Sequence, residues 1–255
     1  MRKFAIMMAL SVAVCYGSFA TEDVLKLSKA GDFPKPVTVV EADGEKVFEV
    51  TPRANRSTKY FIVDMEKTYL LKGSFRNLSQ EDVSVYFGFE PLDSNGNVIS
   101  PQHVNCAKGT ETELAEAVNI GDTSIKLKDG AGWKKAKKHW FVAFNAKDDL
   151  SDLPNRDLSP NIDSASVNEV MLSRPIERTY PVGTQIRAQL SGNTFLYTAG
   201  YRKTSNQWQE FSGKIQGKGW RLGTAKARIL VYPRPNKNNL QAKIQFKDIS
   251  VEILD

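Results

Sequence analysis

The sequence predicts an all-β protein built as an antiparallel sandwich. The segment Ser84 to Glu90 (SVYFGFE) places Val85, Phe87 and Phe89 at every second position. A period of two is typical of a half-buried strand, not of a helix. Similar alternation returns after a long interruption, in the segments Thr194 to Tyr201, Ala225 to Tyr232 and Lys243 to Leu254. The repeated alternation predicts a sandwich, and the interruption predicts an insert.

The first twenty residues are predicted to be a secretory signal peptide. Arg2 and Lys3 precede an apolar stretch, Phe4 to Val14, and the small residues Ser18 and Ala20 suit cleavage after position 20. The stretch is short for a membrane anchor, because a bilayer needs ~20 apolar residues. We therefore expect an exported protein, whether secreted, periplasmic or on the cell surface, with no integral membrane segment after cleavage.

Composition limits how the mature chain is stabilised and what it binds. Cleavage removes Cys15 and leaves Cys106, so an intrachain disulfide is excluded and a hydrophobic core must stabilise the fold. Loss of Arg2 and Lys3, with no acid among the first twenty residues, lowers the formal charge from +6 to +4. This mild excess does not indicate a nucleic-acid partner.

The chain is predicted to contain a discontinuous sandwich with an inserted unit. A polar lead-in covers residues 21–36, the sandwich covers 37–108 and 188–255, and a small β subdomain covers 109–187. Further strands are predicted at Val37 to Val40, Lys46 to Val50, Tyr60 to Val63, Thr68 to Asn77 and Val83 to Phe89, with turns at Asp43-Gly44 and at Pro52 to Ser57. Within the insert, β-type segments are predicted at Thr123 to Leu127, Asp129 to Trp133, Trp140 to Phe144 and Val167 to Leu172, and one helical turn at Glu111 to Ala117.

Three motifs, in their order along the chain, resemble carbohydrate-binding modules of families 4 and 9. They are Thr68 to Phe75 (TYLLKGSF), Trp208 to Ile215 (WQEFSGKI) and Phe246 to Leu254 (FKDISVEIL). The resemblance covers roughly residues 37–104 and 189–254 and implies a jelly-roll sandwich that binds polysaccharide. Modules of this type often hold a structural calcium near the chain ends, where Asp248 is the matching acid.

Glycan binding requires aromatic rings that stack on the apolar faces of sugars. Sugar hydroxyls also need polar partners. Residues outside the predicted core that supply a ring or a polar group are Tyr86, Glu90, Tyr197, Tyr201, Trp208 and Trp220, with Arg202 and Gln209 as polar neighbours. Tyr86 is favoured because Val85, Phe87 and Phe89 already fill the opposite face of its strand. We expect Tyr86, Tyr201 and Trp208 to border one groove.

Trp220 and a run of basic residues each have an alternative, purely structural interpretation. Trp220 follows glycines 217 and 219, so its ring either borders a cleft or plugs the end of the sandwich. The basic run Lys134 to His139 lies between Trp133 and Trp140 and would suit an anionic polysaccharide. A solvated hairpin face is the preferred interpretation of that run.

Acidic residues could supply oxygen ligands for calcium in one loop. Their spacing matches no compact site, so a plain acidic loop is favoured and a structural calcium stays an open alternative. The residues concerned are Asp148, Asp149, Asp152, Asp157 and Asp163.

The sequence shows no catalytic constellation. His103 precedes Cys106 by three positions, but a local pair of this kind in an exported chain is interpreted as incidental. Glycoside cleavage needs two carboxylates, and Glu90 and Glu210 are the first candidates.

The predicted function is therefore non-catalytic binding of a polysaccharide or an envelope glycan. The first alternative is a structural or adhesive surface protein that uses the sandwich and the insert for protein contacts. A jelly-roll hydrolase or lyase is the third. The sequence predicts neither the particular glycan nor the oligomeric state.

Overall fold

The computed structural model describes residues 21–236 and 239–254. The predicted signal peptide lies outside these residues. Within them the regular structure is β-strand with three short 3-10 turns, at Pro101–His103, Ala131–Lys135 and Gly217–Gly219. None of the described segments forms an apolar helix of the length that a bilayer crossing requires.

Two antiparallel sheets form the sandwich. In spatial order, the first sheet contains β14 (Gln209–Ile215), β5 (Thr68–Asn77), β16 (Ile244–Leu254), β3 (Glu45–Val50) and β2 (Thr38–Ala42), with β1 (Thr21–Leu27) also paired to β16. The second contains β13 (Tyr201–Thr204), β6 (Val83–Leu92), β15 (Lys226–Pro235) and β4 (Asn55–Ile62). Because successive strands from β4 to β6 and from β13 to β16 alternate between the two sheets, the arrangement is that of a jelly roll.

The sandwich core is formed by the inward positions of both sheets. Phe87 of β6 meets Phe75 of β5 edge to face across the interface, with ring centroids 4.8 Å apart. Phe75 also stacks on Phe211 and Phe246 within its own sheet. Val85, Phe87 and Phe89 are fully buried, which confirms the alternation predicted for this strand.

The turn of the β2–β3 hairpin lies at Asp43-Gly44, as predicted. Asp43 and Gly44 adopt φ values of 55° and 78°. Positive φ at both central residues defines the type I′ turn, whose twist matches that of the flanking strands and which favours Asp-Gly.

A second hydrophobic core lies among residues 114–188. One three-stranded sheet contains β7 (Thr112–Glu113), β12 (Gln185–Gln189) and β9 (Phe141–Phe144), and another contains β10 (Ile162–Ala165), β11 (Glu169–Leu172) and β8 (Ser124–Lys126). Trp133 is fully buried in this core and donates Nε1–H to the carbonyl of Thr110 at 2.8 Å. Arg187 is also fully buried, and it pairs with Asp152.

The chain reaches and leaves this second core through adjacent backbone segments. The amide of Ala107 donates to the carbonyl of Ala188, and the amide of Leu190 donates to Asn105, each at 2.9 Å. β12 continues to Gln189, two residues beyond the predicted end of the insert. The division of the chain at 109 and 187 stays a prediction.

Several predicted elements were wrong in detail. Thr194 to Tyr201 was expected to be a strand, but only Tyr201 enters β13, because the preceding residues leave the ladder after a single bridge between Leu196 and Phe89. Glu111 to Ala117 contains the short strand β7 and not a helical turn, since Thr112 and Glu113 pair with β12. The predicted lead-in contains β1, β4 begins inside the predicted turn at Pro52 to Ser57, and a 3-10 turn occupies most of Asp129 to Trp133.

Truncation of Phe75 should test the shared core. We expect Phe75→Ala to lower the free energy of unfolding by about 3–5 kcal/mol, because it opens a cavity between the two sheets. Chemical denaturation measures the change. Val182→Ala, at a position 63% exposed, serves as the control and should stay within about 0.5 kcal/mol of the parent. An equally small effect at Phe75 would contradict the core assignment.

Candidate functional site

Four tyrosines gather on the outer face of the second sheet, and we call Tyr86, Tyr197, Tyr201 and Tyr232 the tyrosine surface. Tyr86 on β6 pairs directly with Tyr201 on β13 and with Tyr232 on β15. Directly opposed side chains in an antiparallel pair lie on the same face of the sheet. Tyr197 joins them from the segment that precedes β13.

Tyr86 is the centre of the tyrosine surface. Its ring centroid lies 4.1 Å from that of Tyr201, 4.4 Å from Tyr197 and 5.9 Å from Tyr232. Tyr201 is 48% exposed, whereas the other three are partly buried. The arrangement makes Tyr201 the most accessible ring, with Tyr86 holding it in place.

The hydroxyl group of Tyr197 remains protonated at neutral pH. Burial raises the pKa of Tyr197 above its ordinary value of 10, and the neighbouring Tyr86 and Tyr232 raise it further. A protonated phenol both donates and accepts hydrogen bonds. The surface therefore combines aromatic area with the hydrogen-bonding groups that sugar hydroxyls require.

Gly88 lets the segment that carries Tyr197 approach the sheet. A Cβ at Gly88 would lie 1.8 Å from the carbonyl oxygen of Leu196, so a side chain there would displace this backbone. The carbonyl of Leu196 accepts from the amide of Phe89 at 2.8 Å. Leu230, opposite Gly88 on β15, is fully buried, so the segment around Leu196 covers the sheet at this point.

Glu90 lies further along β6 on the same face, but it is not an accessible sugar-binding group. Its carboxylate accepts from Arg56 Nε and from Arg228 Nε, each at 2.6 Å. The Glu90 side chain is 2% exposed, while those of Arg56 and Arg228 are 37% and 32% exposed. The prediction of direct contact with sugar at Glu90 is therefore corrected, because its carboxylate is buried and already paired with two arginines.

Phe195 connects this ion cluster with the tyrosine surface. The guanidinium carbon of Arg56 lies 5.0 Å from the Phe195 ring centroid. The Phe195 and Tyr197 centroids are 6.3 Å apart. A continuous line of rings and cations thus runs from Tyr201 to Arg56.

Trp208 lies on the first sheet and does not join the tyrosines. Its Nε1–H donates to Asp43 at 3.2 Å, and the cations of Arg76 and Lys247 lie 4.5 Å and 4.9 Å from the ring. The hydrogen bond from Trp208, with the charge of Arg76, lowers the pKa of Asp43. The expectation that Trp208 borders the same groove as Tyr86 is wrong, because the two lie in opposite layers of the sandwich.

Trp220 is a core residue. It is 3% exposed, and its ring packs 5.2 Å from Phe89 and 5.8 Å from Tyr69. The structure favours the alternative in which Trp220 fills the end of the sandwich, so its assignment to the sugar-binding set is corrected. The polar neighbours are also engaged elsewhere: Arg202 Nη2 donates to Ser212, and Gln209 Oε1 accepts from the amide of Ser205.

The basic run 134–139 carries positive charge, but the two tryptophans that flank it do not both offer accessible rings. Trp133 is buried, Trp140 packs partly into the second core, and Lys138 pairs with Asp163 at 2.8 Å. In the acidic loop, Asp152 forms an ion pair with Arg187 and Asp157 forms one with Arg178. In residues 21–236 and 239–254, no three acidic, histidine or cysteine side chains converge where they could hold a metal ion.

The candidate catalytic groups do not assemble. Glu210 faces outward from β14 in the first sheet, because its neighbour Phe211 is buried, whereas Glu90 faces outward from the second sheet. Burial raises the pKa of the Cys106 thiol, which disfavours the thiolate. Burial and the nearby cations Arg156 and Arg221 lower the pKa of His103 to about 4, and its Nδ1 accepts from the amide of Ser100.

Comparison with known proteins identifies no family. The chain matches no protein-family model and no curated protein. Among solved structures it is similar to the CBM22-1 xylan-binding domain of Xyn10C from Paenibacillus barcinonensis, at 10% identity and a TM-score of 0.37, over 94% of this chain and 99% of that domain. The likeness is too distant to support an argument about function. The class that the chain's own residues define is an all-β antiparallel sandwich with aromatic residues gathered on one outer face.

Sequence reasoning missed Tyr232, Phe195, Arg56 and Arg228. A signal existed for Tyr232, because buried Ala227, Ile229 and Val231 alternate with it along β15. The other three are placed by pairing between distant strands and by the irregular segment before β13, for which the sequence pattern gave no signal.

Substitution of Gly88 should disturb the tyrosine surface. We expect Gly88→Ala to lower the free energy of unfolding by about 1–3 kcal/mol and to alter the near-ultraviolet circular dichroism of the tyrosines, because the new methyl group displaces Leu196. Ser84→Ala, on the same face of β6, is the matched control. An unchanged tyrosine spectrum in Gly88→Ala would contradict the close approach.

His103 should make stability depend on pH. An unfolded histidine titrates near pH 6.5, whereas His103 stays neutral in the fold down to about pH 4. Between these values the unfolded state binds a proton that the folded state excludes, so stability is lost as pH falls from 6.5 towards 4. Urea denaturation across this range should show a smaller loss in His103→Asn. Parallel curves for the two proteins would contradict the prediction.

Proposed function

We propose that this chain is an exported, non-catalytic glycan-binding protein that stacks sugar rings on the tyrosine surface. The observation that carries the proposal is the convergence of four tyrosines on one outer sheet face, with Tyr201 48% exposed. The apolar face of a pyranose ring packs on an aromatic ring, and phenolic hydroxyls bond to the sugar hydroxyls around it. The pattern of the first twenty residues supports the proposal of export.

The position of the acids supports binding without cleavage. Glycosidases place two carboxyl groups about 5–9.5 Å apart on either side of the scissile bond. Glu90 and Glu210 point away from each other on the outer faces of two layers that pack ~10 Å apart. A single glycosidic bond cannot lie between them.

A protein-contact function is the second candidate, supported by the edge strand β4. Tyr60 and Ile62 are 52% and 65% exposed and share the outer face of this strand. An exposed sheet edge with apolar side chains is a site for strand addition or self-association. Concentration-dependent oligomers in sedimentation experiments, without retention on any glycan, would favour this function.

Removal of the accessible ring should weaken glycan binding without unfolding. We expect Tyr201→Ala and Tyr86→Ala to raise the dissociation constant about threefold to tenfold, because an aromatic contact contributes about 0.5–1.5 kcal/mol. Affinity electrophoresis of the mature chain against a polysaccharide panel measures the effect, and assay of reducing ends in the same samples tests for cleavage.

Two controls make this experiment specific. Tyr201→Phe keeps the ring and should retain most of the binding, and Trp208→Ala removes a ring from the opposite sheet and should bind as the parent does. Retention that survives loss of Tyr86 and Tyr201 but not of Trp208 would place the site on the first sheet. Release of reducing ends by the parent would overturn the non-catalytic proposal.

A further inference from the structure

A cleft rich in arginine lies beside the tyrosine surface. Its volume is about 310 Å³, and we call it the arginine cleft. Its lining includes Pro34, Lys35, Pro36, Arg53, Arg56 and Arg228. Glu90, which pairs with Arg56 and Arg228 of this lining, is four residues from Tyr86 on β6, or ~13 Å at ~3.3 Å per residue.

The charges of the arginine cleft do not balance. Glu90 is shared between Arg56 and Arg228. Asp32, the other buried acid among the described residues, pairs with Lys59. In the part of the chain that the structure describes, neither Arg53 nor Lys35 has a carboxylate within ion-pairing distance. Four cations therefore line a cleft in which Glu90 supplies the compensating carboxylate, and an excess of positive charge remains.

The two paired arginines keep hydrogen-bond donors for a ligand. Arg56 uses Nε for Glu90 and Nη1 for the carbonyl of Ala54, and Arg228 uses Nε and Nη2 for Glu90. Each guanidinium carries five N–H groups, so Nη2 of Arg56 and Nη1 of Arg228 remain available. Glu90 holds the guanidinium planes of Arg56 and Arg228 in place, so less side-chain entropy is lost when an oxyanion binds.

Arg53 adds an exposed guanidinium to the cleft. It is exposed, and it lies at the turn just before β4 begins at Asn55. A guanidinium recognises the paired oxygens of a carboxylate or a sulfate through two parallel hydrogen bonds. The proline side chains of Pro34 and Pro36 form an apolar wall of the same cleft.

We infer that the arginine cleft binds the carboxylate or sulfate group of an acidic glycan whose uncharged face lies on the tyrosine surface. This inference rests on the proposed function, since Phe195 joins the two regions into one binding face. It assigns the substrate class, an anionic polysaccharide, and it places charge recognition at Arg53, Arg56 and Arg228 and not at the lysine run 134–138.

The test compares charged polymers with their uncharged counterparts. Affinity electrophoresis would use polygalacturonate against its methyl ester for the carboxylate, and dextran sulfate against dextran for the sulfate. We expect at least one charged polymer to retain the parent more strongly than its counterpart, and the difference to shrink as sodium chloride is raised.

Charge-matched variants locate the anion site. Arg53→Gln should raise the dissociation constant for the retained charged polymer about threefold to tenfold and leave binding to the uncharged counterpart unchanged. Arg174→Gln removes the same charge from an exposed position in the second core region and should bind as the parent. Arg53 is exposed, so thermal denaturation should show the parent stability.

The outcomes separate this inference from the proposed function. Equal retention on charged and uncharged polymers, sensitive to Tyr201→Ala but not to Arg53→Gln, would overturn the anionic preference and leave the stacking function standing. Loss of binding in Lys134→Gln/Lys135→Gln, with Arg53→Gln unaffected, would move the anion site and overturn the inference. Failure of every polymer to retain the parent would overturn both.

Discussion

The alternation of strand β6 is the constraint on which the rest of the molecule depends. Val85, Phe87 and Phe89 fill the space between two sheets, and a slip of one residue would expose all three while burying their neighbours. That penalty fixes the register of the central strand. It also commits Tyr86, Gly88 and Glu90 to the outer face, where they organise everything that lies on it.

Each of these three outward residues determines a different part of the outer face. Tyr86 gathers the rings of its cross-strand neighbours, Gly88 admits the backbone of Leu196, and Glu90 requires cationic partners because it is buried. A buried carboxylate without such partners would be strongly destabilising. The arginines that satisfy Glu90 therefore serve the stability of the fold, and the same arrangement leaves rigid, partly exposed guanidinium groups at the surface.

Strand periodicity in the sequence predicts which face of a sheet a side chain occupies. It does not predict contacts that depend on pairing between distant strands. The outward position of Tyr86 could be predicted from three buried neighbours. Its contact with Tyr232 could not, because that contact depends on the register of strands separated by most of the chain. The pattern placed Glu90 outward but carried no sign that Arg56 and Arg228 pair with it. Trp208 and Trp220 followed turns, where periodicity is interrupted and the face of a side chain is undetermined.

The most direct test of the central claim is aromatic ¹³C–¹H nuclear magnetic resonance of residues 21–255 during titration with oligosaccharides from a retained polysaccharide. Assignment by single Tyr→Phe variants would identify each ring. The account predicts saturable shift changes at Tyr86, Tyr197, Tyr201 and Tyr232, with the signals of Trp208 and Trp133 unchanged. Saturable changes at Trp208 with none at the four tyrosines would contradict it.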